Sequence, residues 1–151
     1  MKFRGVLIKM EIKKAKKEDC KSVYSLVSIL KENLDYNKFK ESFDNNLCKD
    51  DVFYYILWEN NNPIGFISVV INYQLHHADK VATIEELVIN RKYQSNNYGT
   101  MLLNYGVQLA KDQKCDVIEL TSNFTRENAH RFYEKNGFKK TSFKFKMNLN
   151  S

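Results

Sequence analysis

The sequence predicts an α+β domain in which a mixed, mostly antiparallel β-sheet is flanked by helices. Three observations predict it. Strand and helix periodicities follow one another in the order β-α-α-β-β-β-α-β-α-β. Two β-rich runs are joined by Asn60-Asn61-Asn62-Pro63, a turn that makes them a hairpin. A third strand feeds a helix through the polar, glycine-ended turn Gln94-Ser95-Asn96-Asn97-Tyr98-Gly99.

The elements justify themselves in order. Residues 11–15 read as a short strand, and the regular pattern starts at Met10, which makes Met10 an alternative start to Met1. Glu18 and Asp19 precede Val23, Leu26, Val27 and Leu30, an i, i+3, i+4, i+7 stripe that predicts an amphipathic helix. Tyr36 to Leu47 reads as a second helix with Phe39, Phe43 and Leu47 on one face. Val52–Trp58 and Ile64–Tyr73 form the hairpin. Gln74–Lys80 is a polar loop carrying His76 and His77, and Val81–Ile89 is a strand. Tyr98–Lys111 is a helix burying Met101, Leu102, Tyr105 and Leu109, and Val117–Thr121 is a short apolar strand. Thr125 is placed to cap a helix that runs to Asn136, with Gly137 as its stop. Thr141–Leu149 alternates Phe143, Phe145, Met147 and Leu149, which predicts a last strand with one buried face; it could close the core or pair across a homodimer.

Composition narrows the function classes. The 151 residues, 43% of them apolar, are read as one domain spanning 1–151 with a real core. The net charge of +6 comes from lysines spread along the whole chain. No compact basic run with interleaved aromatics occurs, so no nucleic-acid partner is expected. No apolar run is long enough to span a membrane. Three widely spaced cysteines, Cys20, Cys48 and Cys115, imply no disulfide framework and point to reduced thiols in the cytoplasm.

The turn after the third hairpin-region strand is the chemically informative place. Its backbone N–H groups and the positive end of the following helix can hold a pyrophosphate, through the amides of about Ser95 to Thr100. The binding crevice would lie at the carboxyl end of Val81–Ile89. Glu85 and Glu86 sit inside this apolar strand, where a carboxylate is costly unless paired or functional. Side chains alternate along a strand, so only one of the two can face a given site.

These pieces, with the closing segment Asn128-Ala129-His130-Arg131-Phe132-Tyr133-Glu134-Lys135-Asn136-Gly137-Phe138, resemble the GNAT superfamily of acetyl-CoA-dependent N-acetyltransferases. The likeness spans residues 10–149, with its motifs in 81–149. Its Arg/Gln-x-x-Gly-x-Gly/Ala pattern is met by Gln94 and Gly99, with Asn97 where the middle glycine usually stands. Asn is one of the few residues that tolerate a left-handed backbone. The resemblance implies acetyl-CoA as cosubstrate: its pyrophosphate on Gln94, Ser95, Asn96, Asn97, Tyr98, Gly99 and Thr100, and its pantetheine arm on the backbone of Leu87, Val88 and Ile89 with Asn128. It implies Tyr133 as the acid that protonates the leaving thiolate, a phenol of comparable basicity. It implies Glu85 or Glu86 as the base, acting directly or through water.

Within the superfamily, Leu75-His76-His77, Glu86-Leu87-Val88, Asn97-x-Gly99, Glu119-Leu120-Thr121-Ser122-Asn123 and Phe143-Lys144-Phe145 are similar to the bacterial aminoalkylphosphonate N-acetyltransferases. That branch also carries Asn at the middle-glycine position. The likeness implies a small primary amine with an anionic group as acceptor, and assigns His76 and His77 to substrate. The branch is associated with a divalent metal, but the histidines show no established ligand spacing, so no metal is assigned. Expected, then, is a cytoplasmic acetyltransferase working by direct attack in a ternary complex. The alternatives are an aminoglycoside, polyamine or protein N-terminus as acceptor, or a non-catalytic acyl-CoA sensor.

Overall fold

The computed structural model describes residues 2–3, 5–94 and 96–150. Met1 and Ser95, both named above, lie outside them. A two-stranded pair, β1 (Lys2–Phe3) and β2 (Val6–Leu7), precedes the main sheet and was absent from the expected order. The main sheet contains β3 (Met10–Lys14), β4 (Val52–Glu59), β5 (Asn62–Gln74), β6 (Asp79–Ile89) and β7 (Val117–Leu120), side by side in that order. The first three pairings are antiparallel, and β6 runs parallel to β7. Helices α1 (Cys20–Val27), α2 (Tyr36–Leu47), α3 (Tyr98–Asp112) and α4 (Glu127–Lys135) complete the fold. This is the expected α+β architecture.

Local chemistry accounts for the element ends. The carboxylate of Asp35 accepts from the Lys38 amide at 2.9 Å and caps α2. The β4–β5 connection is tighter than expected: Asn60 and Asn61 both take positive φ, 45° and 67°, so the turn has two residues and Pro63 already pairs with Trp58. The His76–His77 loop shrinks likewise to residues 75–78, because β5 and β6 pair out to Gln74 and Asp79. Thr125 does not cap α4. Its amide and hydroxyl both donate to the Asn123 side chain, and Arg126 stands at the cap position with no side-chain cap bond. The strand expected at Thr141–Leu149 does not form: residues 139–150 have no regular structure and all are exposed.

The sheet buries apolar side chains on both faces. On one face, Ile67, Val69, Ile71, Ala82 and Ile84 pack with Leu102, Leu103 and Ala110 of α3. On the other, Ile56, Phe66 and Val88 pack with Val23, Leu26 and Val27 of α1 and Phe43 of α2. Helix α3 approaches the sheet closely because glycines stand at the contacts. A Cβ on Gly65 would lie 2.6 Å from Ile89 Cδ1, 2.9 Å from Leu102 Cδ1 and 3.2 Å from the Val88 carbonyl oxygen. A Cβ on Gly106 would lie 2.7 Å from Ile67 Cδ1. Overpacking of this kind costs about 1–3 kcal/mol. Gly65→Ala therefore lowers the melting temperature by about 3–10 °C in a thermal scan. Gly137→Ala is the control for crowding: nothing lies within 4 Å of its added methyl, and only its positive φ of 93° opposes the substitution.

Candidate active site

The site begins with a break in strand register. Pairing of β5 with β6 shifts between Ser68 and Val69: Ser68 faces Glu86 and Val69 faces Ile84, which leaves Glu85 as the extra residue of a β-bulge. The bulge overrides the simple alternation expected of two adjacent glutamates. Glu85 is exposed, while Glu86 turns into a cavity of about 520 Å³ between the sheet and helices α1 and α2. The Ser68 hydroxyl, fully buried, donates to the Glu86 carboxylate and accepts from the Glu86 amide at 2.9 Å. Burial pushes the Glu86 carboxyl up; the Ser68 hydrogen bond opposes the shift and the nearby Glu85 charge adds to it.

Aromatic side chains wall the cavity. The rings of Phe43 and Tyr54 stack at 5.6 Å, and Tyr54 meets Phe66 edge-on at 5.6 Å. Asn46 donates to the Tyr54 hydroxyl at 2.9 Å. Lys38 is the basic side chain of the lining, beside Asp35 and Glu86.

The sheet opens where the bulge occurs. β6 pairs with β7 only from Val81 to Ile84, opposite Val117 to Leu120. Beyond that point Leu87, Val88 and Ile89 have no β7 partner, so the β7-facing backbone groups of this stretch are available to an amide-bearing ligand. The turn that follows is shaped as a phosphate loop. Asn97 has φ 62° and ψ 14°, the left-handed conformation that the missing glycine would supply. It makes no side-chain cap bond, and among the described residues the first-turn amides of Tyr98, Gly99 and Thr100 have no partner, an arrangement that suits an anion. Gly99 serves packing instead: a Cβ there would lie 3.4 Å from Phe132 of α4. Two other turn residues point away from a ligand. Gln94 donates its side-chain amide to the Ile89 carbonyl at 3.1 Å, which ties the turn to the strand. The buried Tyr98 hydroxyl donates to Glu59 at 3.2 Å. Asn96 is exposed, its amide 3.4 Å from the Tyr93 carbonyl.

Tyr133 lies on α4, half-buried against the α3-side core, with rings of Phe132 and Phe138 at 5.3 and 5.9 Å. Burial pushes its phenol up, and the Arg126 charge opposes this. The contact of Phe132 with Gly99 brings α4 beside the start of α3. Asn128 is exposed and accepts from Arg131.

The histidines are not part of this assembly. The rings of His76 and His77 lie 4.4 Å apart, tilted by 44°, at the tip of the β5–β6 hairpin, beyond Asp79. Seven strand residues separate Asp79 from Glu86, about 23 Å along β6. Among the described residues no three His, Cys, Asp or Glu side chains converge.

Ser68 and Tyr54 are site residues that sequence reading missed. Ser68 had a signal: it is the hydroxyl in the apolar run Phe66-Ile67-Ser68-Val69-Val70-Ile71. Tyr54 had none, since its position gives no hint of which face of β4 meets a cavity.

Comparison with known proteins agrees with this geometry. The model of the acetyltransferase (GNAT) family matches residues 20–138. An aminoalkylphosphonate N-acetyltransferase of Salmonella typhimurium is 35% identical over 136 residues, 89% of this chain and 88% of that one. An uncharacterised N-acetyltransferase of Bacillus subtilis is 28% identical over 131 residues, 86% of this chain and 92% of that one. Among solved structures, an aminoglycoside N-acetyltransferase in complex with CoA superposes with a TM-score of 0.86 at 13% identity, covering 99% of this chain and all of that one. The fold is thus shared well beyond recognisable sequence. The chain belongs to the acetyltransferase (GNAT) family, enzymes that take their acetyl group from acetyl-CoA.

Proposed function

We propose that this protein, as a single domain spanning residues 1–151, acetylates the primary amine of a small anionic acceptor, an aminoalkylphosphonate, in the cytoplasm. The observation that carries the reading is Glu86, a half-buried carboxylate held at the bulge by the buried Ser68 and facing a cavity of acceptor size. The 35%-identical Salmonella relative supports the acceptor class. So does the cavity lining, where Lys38 can pair with a phosphonate while Glu86 meets the amine.

The reaction runs in a ternary complex. Glu86 takes a proton from the ammonium, directly or through water, and the free amine attacks the thioester carbonyl. The C–N bond forms and the C–S bond breaks, while backbone amides of β6 stabilise the developing oxyanion. Tyr133 gives its proton to the departing thiolate. Its raised pKa keeps it protonated at neutral pH.

Purified protein with acetyl-CoA and a panel of amines, followed by thiol release, tests the reading. Turnover is expected on aminoalkylphosphonates; turnover confined to polyamines or aminoglycosides overturns the acceptor class. Glu86→Gln is expected to lower kcat by about 10²–10⁴-fold. Burial raises the Glu86 pKa, so activity is lost as pH falls through a value above the ordinary glutamate range of about 4.3. A kcat/KM–pH profile whose acid limb stays at that ordinary value would contradict this. Tyr133→Phe is expected to lower kcat about 100-fold with little change in acetyl-CoA affinity by calorimetry. Asn97→Val places a β-branched residue in the left-handed region and should weaken acetyl-CoA binding about 10-fold, whereas Asn97→Gly retains it.

A further inference from the structure

Tyr54, Ser68 and Glu86 form one row across the sheet. Tyr54 pairs with Ser68 between β4 and β5, and Ser68 pairs with Glu86 between β5 and β6. Directly paired residues share a face, so all three side chains stand on the α1/α2 side. Tyr54 and Glu86 both line the cavity there, and the fully buried Ser68 lies between them. The two outer backbones are two strand spacings apart, about 10 Å. A small molecule with a hydrogen bond at each end fills such a span.

The Tyr54 hydroxyl is oriented from behind. The Lys49 ammonium donates to Asn46 Oδ1 at 3.1 Å, and an ammonium can only donate. That contact fixes the Asn46 amide, whose Nδ2 donates to the Tyr54 oxygen at 2.9 Å. The phenol is therefore the acceptor in this bond, and its own hydrogen must go elsewhere. Among the described residues nothing accepts it, and the Glu86 carboxylate takes its hydrogen from Ser68. Phe43 and Phe66 hold the tyrosine ring in place, each at 5.6 Å. Burial pushes the phenol up, against the Asn46 hydrogen bond, so it keeps its proton at neutral pH.

We infer that Tyr54 determines acceptor specificity: its hydroxyl donates to an oxygen of the acceptor's anionic group, with Asn46 as the positioning residue behind it. The inference rests on the reading of this cavity as the acceptor site. Glu86 and Tyr54 then hold opposite ends of one zwitterion, the ammonium at one end of the row and the anion at the other. Lys38 also lines the cavity, but it is exposed, so its attraction is screened by salt and carries little direction. A half-buried hydroxyl with its hydrogen unpaired is directional, and it is costly when nothing accepts from it. It therefore favours acceptors that present an anionic oxygen at that end. A polyamine would set a second ammonium there, donor against donor.

Steady-state kinetics of the full chain and its variants on an aminoalkylphosphonate tests this. The alkylamine of equal chain length, which lacks the anion, is the comparison, as substrate or as competitive inhibitor. Tyr54→Phe is expected to raise the phosphonate KM about 10–100-fold, while kcat and the acetyl-CoA KM move far less. The alkylamine constant is expected to shift by less than about 3-fold, since no hydrogen bond to a charged group is lost. Asn46→Ala is expected to raise the phosphonate KM in the same direction and to add nothing in the Tyr54→Phe background. Should Tyr54→Phe fail to melt cooperatively, Asn46→Ala gives the same KM-against-kcat readout. An unchanged phosphonate KM, an equal loss on the alkylamine, a fall in kcat alone, or additive losses at Tyr54 and Asn46 would each overturn the inference. If the wild type turns over no aminoalkylphosphonate, the acceptor reading fails and this inference with it. Wild-type turnover with an unchanged KM in Tyr54→Phe overturns this inference alone.

Discussion

One register shift organises the catalytic half of this protein. Because Ser68 pairs with Glu86 while the next residue, Val69, pairs with Ile84, β6 carries one residue more than β5 at that point. The bulge turns Glu86 toward the α1/α2 cavity and lets Glu85 point to water. It also falls where pairing with β7 stops, at Ile84 and Leu120. A bulge sharpens local twist, which helps two parallel neighbours diverge. A carboxylate facing one side and an open seam between β6 and β7 therefore arise from the same local feature. Ser68 holds it: a hydroxyl buried between sheet and helices is tolerated because it both donates and accepts there.

The two faces of the sheet divide the work. The α3 face is close-packed through Gly65 and Gly106, so the start of α3 is held rigidly at the end of β6. The phosphate turn inherits that rigidity, and Gln94 adds a tie to the Ile89 carbonyl. The α1/α2 face is looser and leaves a cavity walled by aromatic rings. The same fold is kept at 13% identity with an aminoglycoside enzyme.

Local rules carried far in this chain. Periodicity placed α2 within its observed bounds, and Asn97, a residue type that tolerates a left-handed backbone, adopts one. Where sequence reading failed, a non-local term had won. Pairing partners extended the hairpin strands and moved His76 and His77 away from the cavity. Alternation called for a strand at Thr141–Leu149, but alternation does not supply a pairing partner, and this segment has no regular structure.

By itself, the sequence determined the fold class, the bounds of α2 and the family, since each rests on residues close together in the chain. The tertiary structure alone decided which glutamate faces the cavity, that Ser68 holds it, and that the histidines stand apart. Those depend on register between strands, and a shift of one residue there is set by packing on both faces of the sheet, which no local pattern records.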